Sequence, residues 1–151
     1  MNKKIKNAEV TSYEGIKFRS LTEKNSYILL KEEKEFEIAY EQVHFTIFEG
    51  IRPTVPFWRS TKRKPFKLDS AKLVSITYTP DFIVRYKEVL AIIEIKGFPN
   101  DVYPIKRKMF RAFLEKFKDE HPELHCIFFE IKTLRELKKA IKIIKDASKD
   151  T

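Results

Sequence analysis

The sequence predicts a single α/β domain, residues 1–151, in which helices flank a mixed central sheet in the order αβββαβα. Three observations predict this fold: two capping boxes that mark helix starts, two β-forming runs joined by a tight turn, and a helical repeat of apolar residues between strands. A chain of 151 residues with 42% hydrophobic content is long and apolar enough to build one core.

The first half is predicted to contain one helix, one strand and a long loop. Ser20 and Glu23 form a capping box, so a helix should begin there and continue to about Lys34. Aromatic and β-branched residues alternate with polar ones over residues 36–48, which indicates the first strand. Residues 51–69 contain three prolines, the only tryptophan and a basic cluster, which favours a long loop or irregular hairpin.

Two further strands and a helix are predicted next. Residues 73–85 and 89–96 are β-forming runs that should pair as an antiparallel hairpin across a turn at Lys87–Glu88. Asn100 or Asp101 is expected to cap a helix that reaches about Lys118. The apolar residues predicted to face the sheet recur every four positions: Ile105, Met109, Phe113 and Phe117.

The last strand and helix complete the predicted order. Residues 124–131 form a short apolar run typical of a strand that is buried on both faces, so we expect it inside the sheet. Thr133 and Glu136 form a second capping box, which predicts a C-terminal helix. Its apolar stripe consists of Leu134, Leu137, Ile141 and Ile144.

Charge and cysteine content restrict the class of partner and the compartment. The formal net charge of +9 favours a polyanionic partner such as nucleic acid, although a lysine-rich solvated surface would give the same balance. Cys126 is the only cysteine, so an intramolecular disulfide is excluded and a reducing compartment is compatible. No run of 18 apolar residues exists. We therefore expect a soluble cytoplasmic protein that does not bind membranes.

An acidic site is predicted on the hairpin. Glu94 and Lys96 alternate with Ile95 along one strand, so both should project from the same face while Ile95 points into the core. Pairing across the turn can bring Asp81 beside Glu94. Two carboxylates at one end of a sheet are suited to Mg²⁺, which is usually held by carboxylates, water and phosphate oxygens. A phosphodiester is the natural substrate of such a site.

These residues resemble a known superfamily. The segment Thr79-Pro80-Asp81-Phe82, followed by Glu94-Ile95-Lys96-Gly97, resembles the PD-(D/E)XK nucleases, whose restriction-endonuclease-like core has the order αβββαβ. The similarity is greater to small phage endonucleases related to Holliday junction resolvases. It rests on Phe18-Arg19-Ser20-Leu21-Thr22-Glu23, on Glu41-Gln42 and on Lys106-Arg107-Lys108, and it covers about residues 13–131.

The resemblance implies a role for each of the four catalytic candidates. Asp81 and Glu94 would bind metal, Lys96 would position or polarise the attacking water, and Glu23 would complete the acidic site. Glu23 has an alternative explanation, because the capping box alone accounts for an acid at this position. Gln42 is a candidate for a supporting polar contact near the metal, yet a polar residue on a half-exposed strand needs no functional reason.

Two other observations concern the competing motif and DNA binding. Glu130-Ile131-Lys132 repeats the Glu-x-Lys pattern but has no acidic partner strand, so the first copy is preferred. Cations near the start of the second helix oppose the helix dipole and indicate a bound anion, or else a solvated face. The DNA-binding candidates are Lys106, Arg107, Lys108 and Arg111 on that helix, and Arg59, Lys62, Arg63 and Lys64 in the long loop, where Trp58 and Phe66 could stack on bases.

The sequence therefore predicts a Mg²⁺-dependent endodeoxyribonuclease, with Mn²⁺ as an expected substitute. The resemblance implies action on branched DNA, a homodimer that makes two coordinated cuts, and a bacterial or phage-infected host cell. Two alternatives stay open: a nuclease for ordinary duplex DNA, alone or within a larger cleavage complex, and a catalytically silent DNA-binding module.

Overall fold

A computed structural model of the chain describes residues 11–63, 65–97 and 101–149. In these residues the helices are α1 (Leu21–Lys31), α2 (Tyr103–Glu120) and α3 (Leu134–Ala147). The strands are β1 (Thr11–Tyr13), β2 (Ile16–Phe18), β3 (Glu37–Tyr40), β4 (Phe45–Phe48), β5 (Trp58–Arg59), β6 (Lys67–Leu68), β7 (Ile76–Tyr78), β8 (Phe82–Tyr86), β9 (Val89–Ile95) and β10 (His125–Ile131). Of the described helices, none is both long enough and apolar enough to cross a lipid bilayer.

The central element is a mixed four-stranded sheet in the order β10-β9-β8-β3. β8 is antiparallel to β3 and β9, whereas β10 is parallel to β9. Together with the three helices, these four strands follow the chain order αβββαβα, so the predicted α/β order is confirmed. The predicted hairpin is confirmed as well, because Tyr86 pairs with Val89 across the Lys87–Glu88 turn.

Successive residues of β9 pack on opposite faces of the sheet. Ile93 belongs to a cluster that includes Leu30 of α1 and Leu137 of α3. Ile92 belongs to a second cluster, with Phe110 of α2 and Phe45 of β4. The sheet is therefore covered by α1 and α3 on one face and by α2 with the β4–β7 pair on the other.

Local hydrogen bonds begin two of the helices as predicted. The Ser20 hydroxyl accepts a hydrogen bond from the Glu23 N–H at 3.1 Å, and α1 ends at Lys31, one turn before the expected end. The Thr133 hydroxyl accepts from the Glu136 N–H at 3.2 Å and begins α3. Both caps satisfy backbone donors that have no partner within the helix.

Two predicted strands are each divided in two. Residues 36–48 form β3 and β4 rather than one strand, because Glu41 adopts a left-handed backbone conformation with φ of +49°. β3 stays in the central sheet, while β4 pairs with β7. The run 73–85 is likewise interrupted between β7 and β8, where Pro80 has no N–H to donate to a ladder.

The expectation that residues 124–131 lie inside the sheet is wrong. β10 is an edge strand that pairs with β9 alone. Its apolar run still reflects cover on both faces, because α2 contacts one face and α3 the other. A strand covered in this way can nevertheless lie at the edge of the sheet. Side-chain alternation reports which faces of a strand are covered and carries no information about its edges.

The start and the buried face of α2 also differ from expectation. The helix begins at Tyr103 after Val102, without a side-chain cap from Asp101, and Asn100 lies outside the described residues. Ile105 is exposed, and the fully buried residue is Phe110, with Phe113 and Phe117 packed around it. A strict four-residue repeat drifts around a helix of 3.6 residues per turn, so its first members rotate out of the core.

The predicted irregular hairpin is confirmed in residues 51–69. Ile51 and Leu73 form an isolated antiparallel bridge, and β5 then pairs with β6. Gly50 lies directly before this bridge, where a Cβ atom would be 2.8 Å from the Leu73 carbonyl oxygen. The close approach of the two strands therefore requires glycine at this position.

Candidate active site

Acidic residues converge at one end of the four-stranded sheet. Tyr40, the last residue of β3, pairs with Phe82, the first residue of β8, and Phe82 pairs with Ile93 near the end of β9. The residues just beyond these pairs are Glu41, Asp81 and Glu94. The Glu41 N–H donates a hydrogen bond to the Asp81 carbonyl oxygen at 2.9 Å, which fixes the two residues side by side.

Three carboxylates form a compact group at this end. One oxygen each from Glu23, Glu41 and Asp81 lies within 4.8 Å of the others. Glu23 and Asp81 are each only 9% exposed. Neighbouring oxygens around an octahedral Mg²⁺ are about 3 Å apart and opposite ones about 4.2 Å, so these side chains would have to close around an ion to hold it.

Asp81 is held by the backbone of the neighbouring strand. Its Oδ2 accepts a hydrogen bond from the Ile95 N–H at 2.7 Å, and Pro80 before it is fully buried. Asp81 thus lies beside the Glu94-Ile95-Lys96 segment, as the hairpin register predicted. Since one of its oxygens is engaged by Ile95, the other remains for a ligand.

Glu23 both caps the start of α1 and belongs to the three-carboxylate group, two placements that sequence reasoning treated as alternatives. Its carboxylate accepts a hydrogen bond from the Arg19 N–H at 3.3 Å, which is a variant of the capping box because the donor precedes Ser20. The same oxygen accepts from the Tyr40 hydroxyl at 2.5 Å. Tyr40 ends β3, so this bond ties the start of α1 to the sheet and directs Glu23 toward Asp81.

Glu94 lies beside the three-carboxylate group without belonging to it. In the described part of the chain, no set of three acids at the same mutual separation includes Glu94. Its Oε2 accepts a hydrogen bond from the Tyr78 hydroxyl at 2.6 Å. The expected convergence is therefore modified: Asp81 joins Glu23 and Glu41 in the compact group, and Glu94 is a strong electrostatic neighbour of Asp81.

Burial and mutual repulsion make it costly for the carboxyl groups of this site to carry a negative charge. The pKa of Asp81 is raised by burial and further by the charges of Glu94 and Glu23. Burial also raises the pKa of Glu94, although the Tyr78 hydroxyl and the Asp81 N–H partly oppose that shift. Excess negative charge in a buried place is what a bound cation would relieve.

The two tyrosines act as hydrogen-bond donors. Burial raises the pKa of Tyr78, and the neighbouring Glu94 raises it further. Burial raises the pKa of Tyr40, with Glu23 adding to the shift. Both hydroxyls therefore keep their protons and orient the carboxylates that they contact.

Lys96 follows Glu94 at the end of β9 and is half-buried. Its N–H donates to the Ile131 carbonyl oxygen at 2.7 Å, which anchors the backbone. In the described residues, its ammonium has no carboxylate oxygen within 4.0 Å. The cation is thus not committed to an ion pair.

The second Glu-x-Lys copy lies directly beside the first. In the parallel register Glu130 pairs with Glu94 and Ile131 pairs with Ile95. Glu130 accepts a hydrogen bond from Arg107 at 2.8 Å. Burial alone would raise the pKa of Glu130, but hydrogen bonds from Arg107 and Tyr103 hold it below its ordinary value.

Sequence reasoning missed Glu41, Tyr40 and Tyr78 as site residues and chose Gln42 instead. Gln42 lies in the link between β3 and β4 and is exposed, so it has no strand position near the carboxylates. The end of the strand at Glu41 moves the acidic residue, rather than the amide, next to Asp81. The adjacent pair Glu41-Gln42 was the available signal.

The basic candidates fall into two places. On α2, Lys106 donates to the Thr77 carbonyl oxygen at 3.2 Å and Arg107 is paired with Glu130. Lys108 and Arg111 are exposed beside a groove of about 890 Å³ between α2 and β10. In the hairpin, Arg59 pairs with Asp69 at 3.2 Å. Lys62 and Arg63 are exposed, and Lys64 lies outside the described residues.

The fold and the site define an α/β protein with a cluster of carboxylates at one end of a mixed sheet. Residues 3–135 match the family model described as protein of unknown function (DUF1064), and the chain belongs to that family. Neither the curated proteins nor the solved structures contain a significant match to the chain.

Proposed function

We propose that this protein is a metal-dependent endodeoxyribonuclease whose active site is the acidic end of the sheet. The observation that carries the proposal is the group of Glu23, Glu41 and Asp81 carboxylates within 4.8 Å of one another. Glu94 and Lys96 lie next to it on β9. The resemblance of these segments to the PD-(D/E)XK nucleases, including a restriction-endonuclease-like core, supports the same assignment.

Asp81, Glu23 and Glu41 would hold the metal, with Glu94 available beside them. Mg²⁺ suits this set of hard oxygen donors, and Mn²⁺ is an expected substitute. When bound, the metal would supply a Lewis acid that activates water and neutralises charge on the phosphate. Repulsion among the buried carboxylates, visible in the raised pKa of Asp81, favours cation binding.

The other residues orient and stabilise. The Ile95 N–H and the hydroxyls of Tyr40 and Tyr78 fix Asp81, Glu23 and Glu94, respectively, in orientation. Lys96 would stabilise negative charge that develops on the phosphate or orient the attacking water. These contacts would leave little reorganisation for the transition state.

DNA is the proposed substrate because the net charge of +9 includes a set of cations on α2 and in the hairpin. Lys106 lies near the start of α2 and contacts β7, the strand that ends at Tyr78. The remaining proposed phosphate contacts are Lys108 and Arg111 of α2 and Lys62, Arg63 and Lys64 from residues 51–69, whereas Arg107 and Arg59 are already paired with Glu130 and Asp69. Resolution of a four-way junction needs two cuts, so branched-DNA cleavage implies a homodimer, which light scattering with and without junction DNA can detect.

Cleavage assays test the proposal directly. The purified protein is incubated with matched four-way junction, flap, linear duplex and single-stranded DNA, in Mg²⁺, Mn²⁺ or EDTA. We expect metal-dependent cuts that Asp81→Asn abolishes. Equal cutting of junction and duplex would support an ordinary duplex nuclease. DNA binding without cleavage in either metal would indicate a silent binding module and contradict the proposal.

A further inference from the structure

A two-stranded ribbon extends from the candidate active site. β4 pairs with β7, Ile51 bridges to Leu73, and β5 pairs with β6 farther along. We call residues 51–75 the arm, of which the structure describes all but residue 64. Its base is β7, whose last residue, Tyr78, donates a hydrogen bond to Glu94. The arm is therefore continuous with a strand that contacts the site.

The arm exposes aromatic rings. Phe57 is 59% exposed, Trp58 is 57% exposed and Phe66 is 73% exposed. Phe57 directly precedes β5, and Trp58, the first residue of β5, pairs with Leu68, two residues from Phe66. Single exposed apolar residues are normal on protein surfaces, but several large rings close together mark a binding surface.

The arm is also strongly basic. Seven of its residues are lysine or arginine and one is acidic. That acid, Asp69, already pairs with Arg59 at 3.2 Å, so it does not offset the remaining cations. Positive charge interleaved with exposed rings matches a chain of phosphates that carries planar bases.

We propose that the arm binds an unpaired DNA strand, with Trp58 and Phe66 stacking on bases and the surrounding cations contacting phosphates. This inference rests on the proposed function, because it identifies single-stranded segments as part of the substrate. In an intact duplex the base faces are stacked on one another and not available to side chains. The arm would therefore favour flaps, junction openings or single strands over intact duplex.

An anionic membrane surface is the competing partner, since it also attracts cations and aromatic rings. Nucleic acid is favoured because the arm leads directly to β7 and the acidic site. From Tyr78 back to Lys67 the strand can span at most about 36–40 Å, which is long enough for several nucleotides of an unpaired strand. A strand held along the arm would thus be guided toward Glu94.

Trp58 makes the test direct, because it is the only tryptophan in the chain. Its fluorescence is followed in EDTA, which prevents cleavage, while oligodeoxythymidine is added. A matched abasic strand with the same phosphates but no bases is the control ligand. We expect oligodeoxythymidine to quench Trp58 strongly, and the abasic strand to bind more weakly and to leave the fluorescence nearly unchanged.

Variants separate stacking from charge, with binding followed by the anisotropy of labelled oligonucleotides. Trp58→Ala with Phe66→Ala should lower affinity for oligodeoxythymidine by about 30-fold or more, since each lost stacking contact is expected to cost about five- to 150-fold. The same pair should change affinity for the abasic strand little. Trp58→Phe should retain most binding, and Ile143→Ala, an exposed apolar residue on α3, is the matched control.

Three results would overturn the proposal. The first is Trp58 fluorescence that oligodeoxythymidine leaves unchanged, and the second is an equal loss of affinity for oligodeoxythymidine and for the abasic strand in the double variant. The third is a fluorescence response to phosphatidylserine vesicles and not to oligodeoxythymidine. Circular dichroism verifies that the variants are folded. Failure of the arm and failure of the proposed function remain distinguishable. Metal-dependent cleavage with no role for Trp58 rejects only the arm, whereas base-dependent binding without cleavage in any metal rejects only the nuclease.

Discussion

Two identical short motifs lie side by side in the sheet and have opposite chemistry. Glu94-Ile95-Lys96 ends β9, and Glu130-Ile131-Lys132 ends the parallel strand β10 in register with it. Glu94 is surrounded by acids, and burial raises its pKa. Glu130 is neutralised by Arg107 at 2.8 Å, and its pKa is lowered. The two carboxylates therefore differ in their neighbours and not in their motif, although an ion pair alone does not remove a carboxylate from the acidic group, since Glu41 belongs to it while pairing with Arg19 at 3.1 Å.

The largest expected effect concerns Lys96 and Lys132, the lysines that end the two motifs. Lys96→Ala should lower the single-turnover cleavage rate by at least about a hundredfold, as expected when one electrostatic stabiliser of a transition state is removed. Affinity for DNA in Ca²⁺ should change little, since the loss concerns the transition state. Lys132→Ala is the control and should leave cleavage nearly intact. If Lys132→Ala abolishes cleavage while Lys96→Ala retains it, the active site has been assigned to the wrong strand.

The salt dependence of DNA binding tests the same comparison, because Arg107 is paired with Glu130 of the second motif. Replacing Lys106 and Lys108 together by alanine should reduce the slope of log affinity against log salt by about 2, one unit for each phosphate contact. Adding Arg107→Ala should reduce the slope only slightly further, since this side chain is committed to Glu130. Salt titrations of a labelled duplex measure both slopes. An unchanged slope in the double variant would return these lysines to a solvated surface.

Neutralising Asp81 and neutralising Glu130 should have opposite effects on the free energy of unfolding. The folded-state pKa of Asp81 is raised above its ordinary value of 3.8, so ionisation costs stability as pH rises from that value through the folded pKa. Asp81→Asn should therefore raise the free energy of unfolding of the metal-free protein by about 0.5–2 kcal/mol near pH 8. The gain should fade as pH falls and vanish below about pH 3, where both states are largely protonated.

Glu130→Gln is the matched control for this measurement. The folded-state pKa of Glu130 is lowered, so its charge contributes stability above its ordinary pKa of 4.5 that is lost as pH falls through the folded value. Its replacement should therefore not stabilise the protein near neutral pH. Urea denaturation in EDTA across the pH range distinguishes the two. A loss of stability in Asp81→Asn at alkaline pH would show that the site is not electrostatically strained.

The smallest effect concerns the ion pair itself. Arg107→Ala should raise the pKa of Glu130 toward or above its ordinary value, measurable by carbon NMR of the side-chain carboxyl. Cleavage should stay within about fivefold of the wild-type rate, the most that a partly exposed ion pair is worth. A larger loss would mean that Glu130 acts in the site and that the two motifs are not independent.

Features set by neighbouring residues were predictable from the sequence. The Ser20 and Thr133 caps depend on contacts three residues apart, and the β8–β9 hairpin depends on a short turn. Asp81 could be placed beside the Glu94 segment for the same reason. Features set by long-range packing were not predictable: the edge position of β10, the rotation of α2 that buries Phe110, and the place of Glu41 in the acidic group.

The site shows this limit most clearly at Glu41. A residue at the end of a strand projects according to its own backbone angles, and the positive φ of Glu41 departs from strand geometry. Alternation along β3 therefore cannot predict where its carboxylate lies. Tyr40 was equally hidden, because a buried tyrosine reads as ordinary core until its hydroxyl is seen to reach Glu23.

The close strand approach at Gly50 has an evolutionary consequence. Any side chain there would collide with the Leu73 backbone, so the base of the arm tolerates little change. Beyond the Ile51–Leu73 bridge the connection is a surface hairpin, where each doubling of loop length costs only about 0.6 kcal/mol. Family members can therefore be expected to diverge in the length and composition of the arm while Gly50 and the acidic site stay constant, so that ligand preference varies independently of the catalytic chemistry.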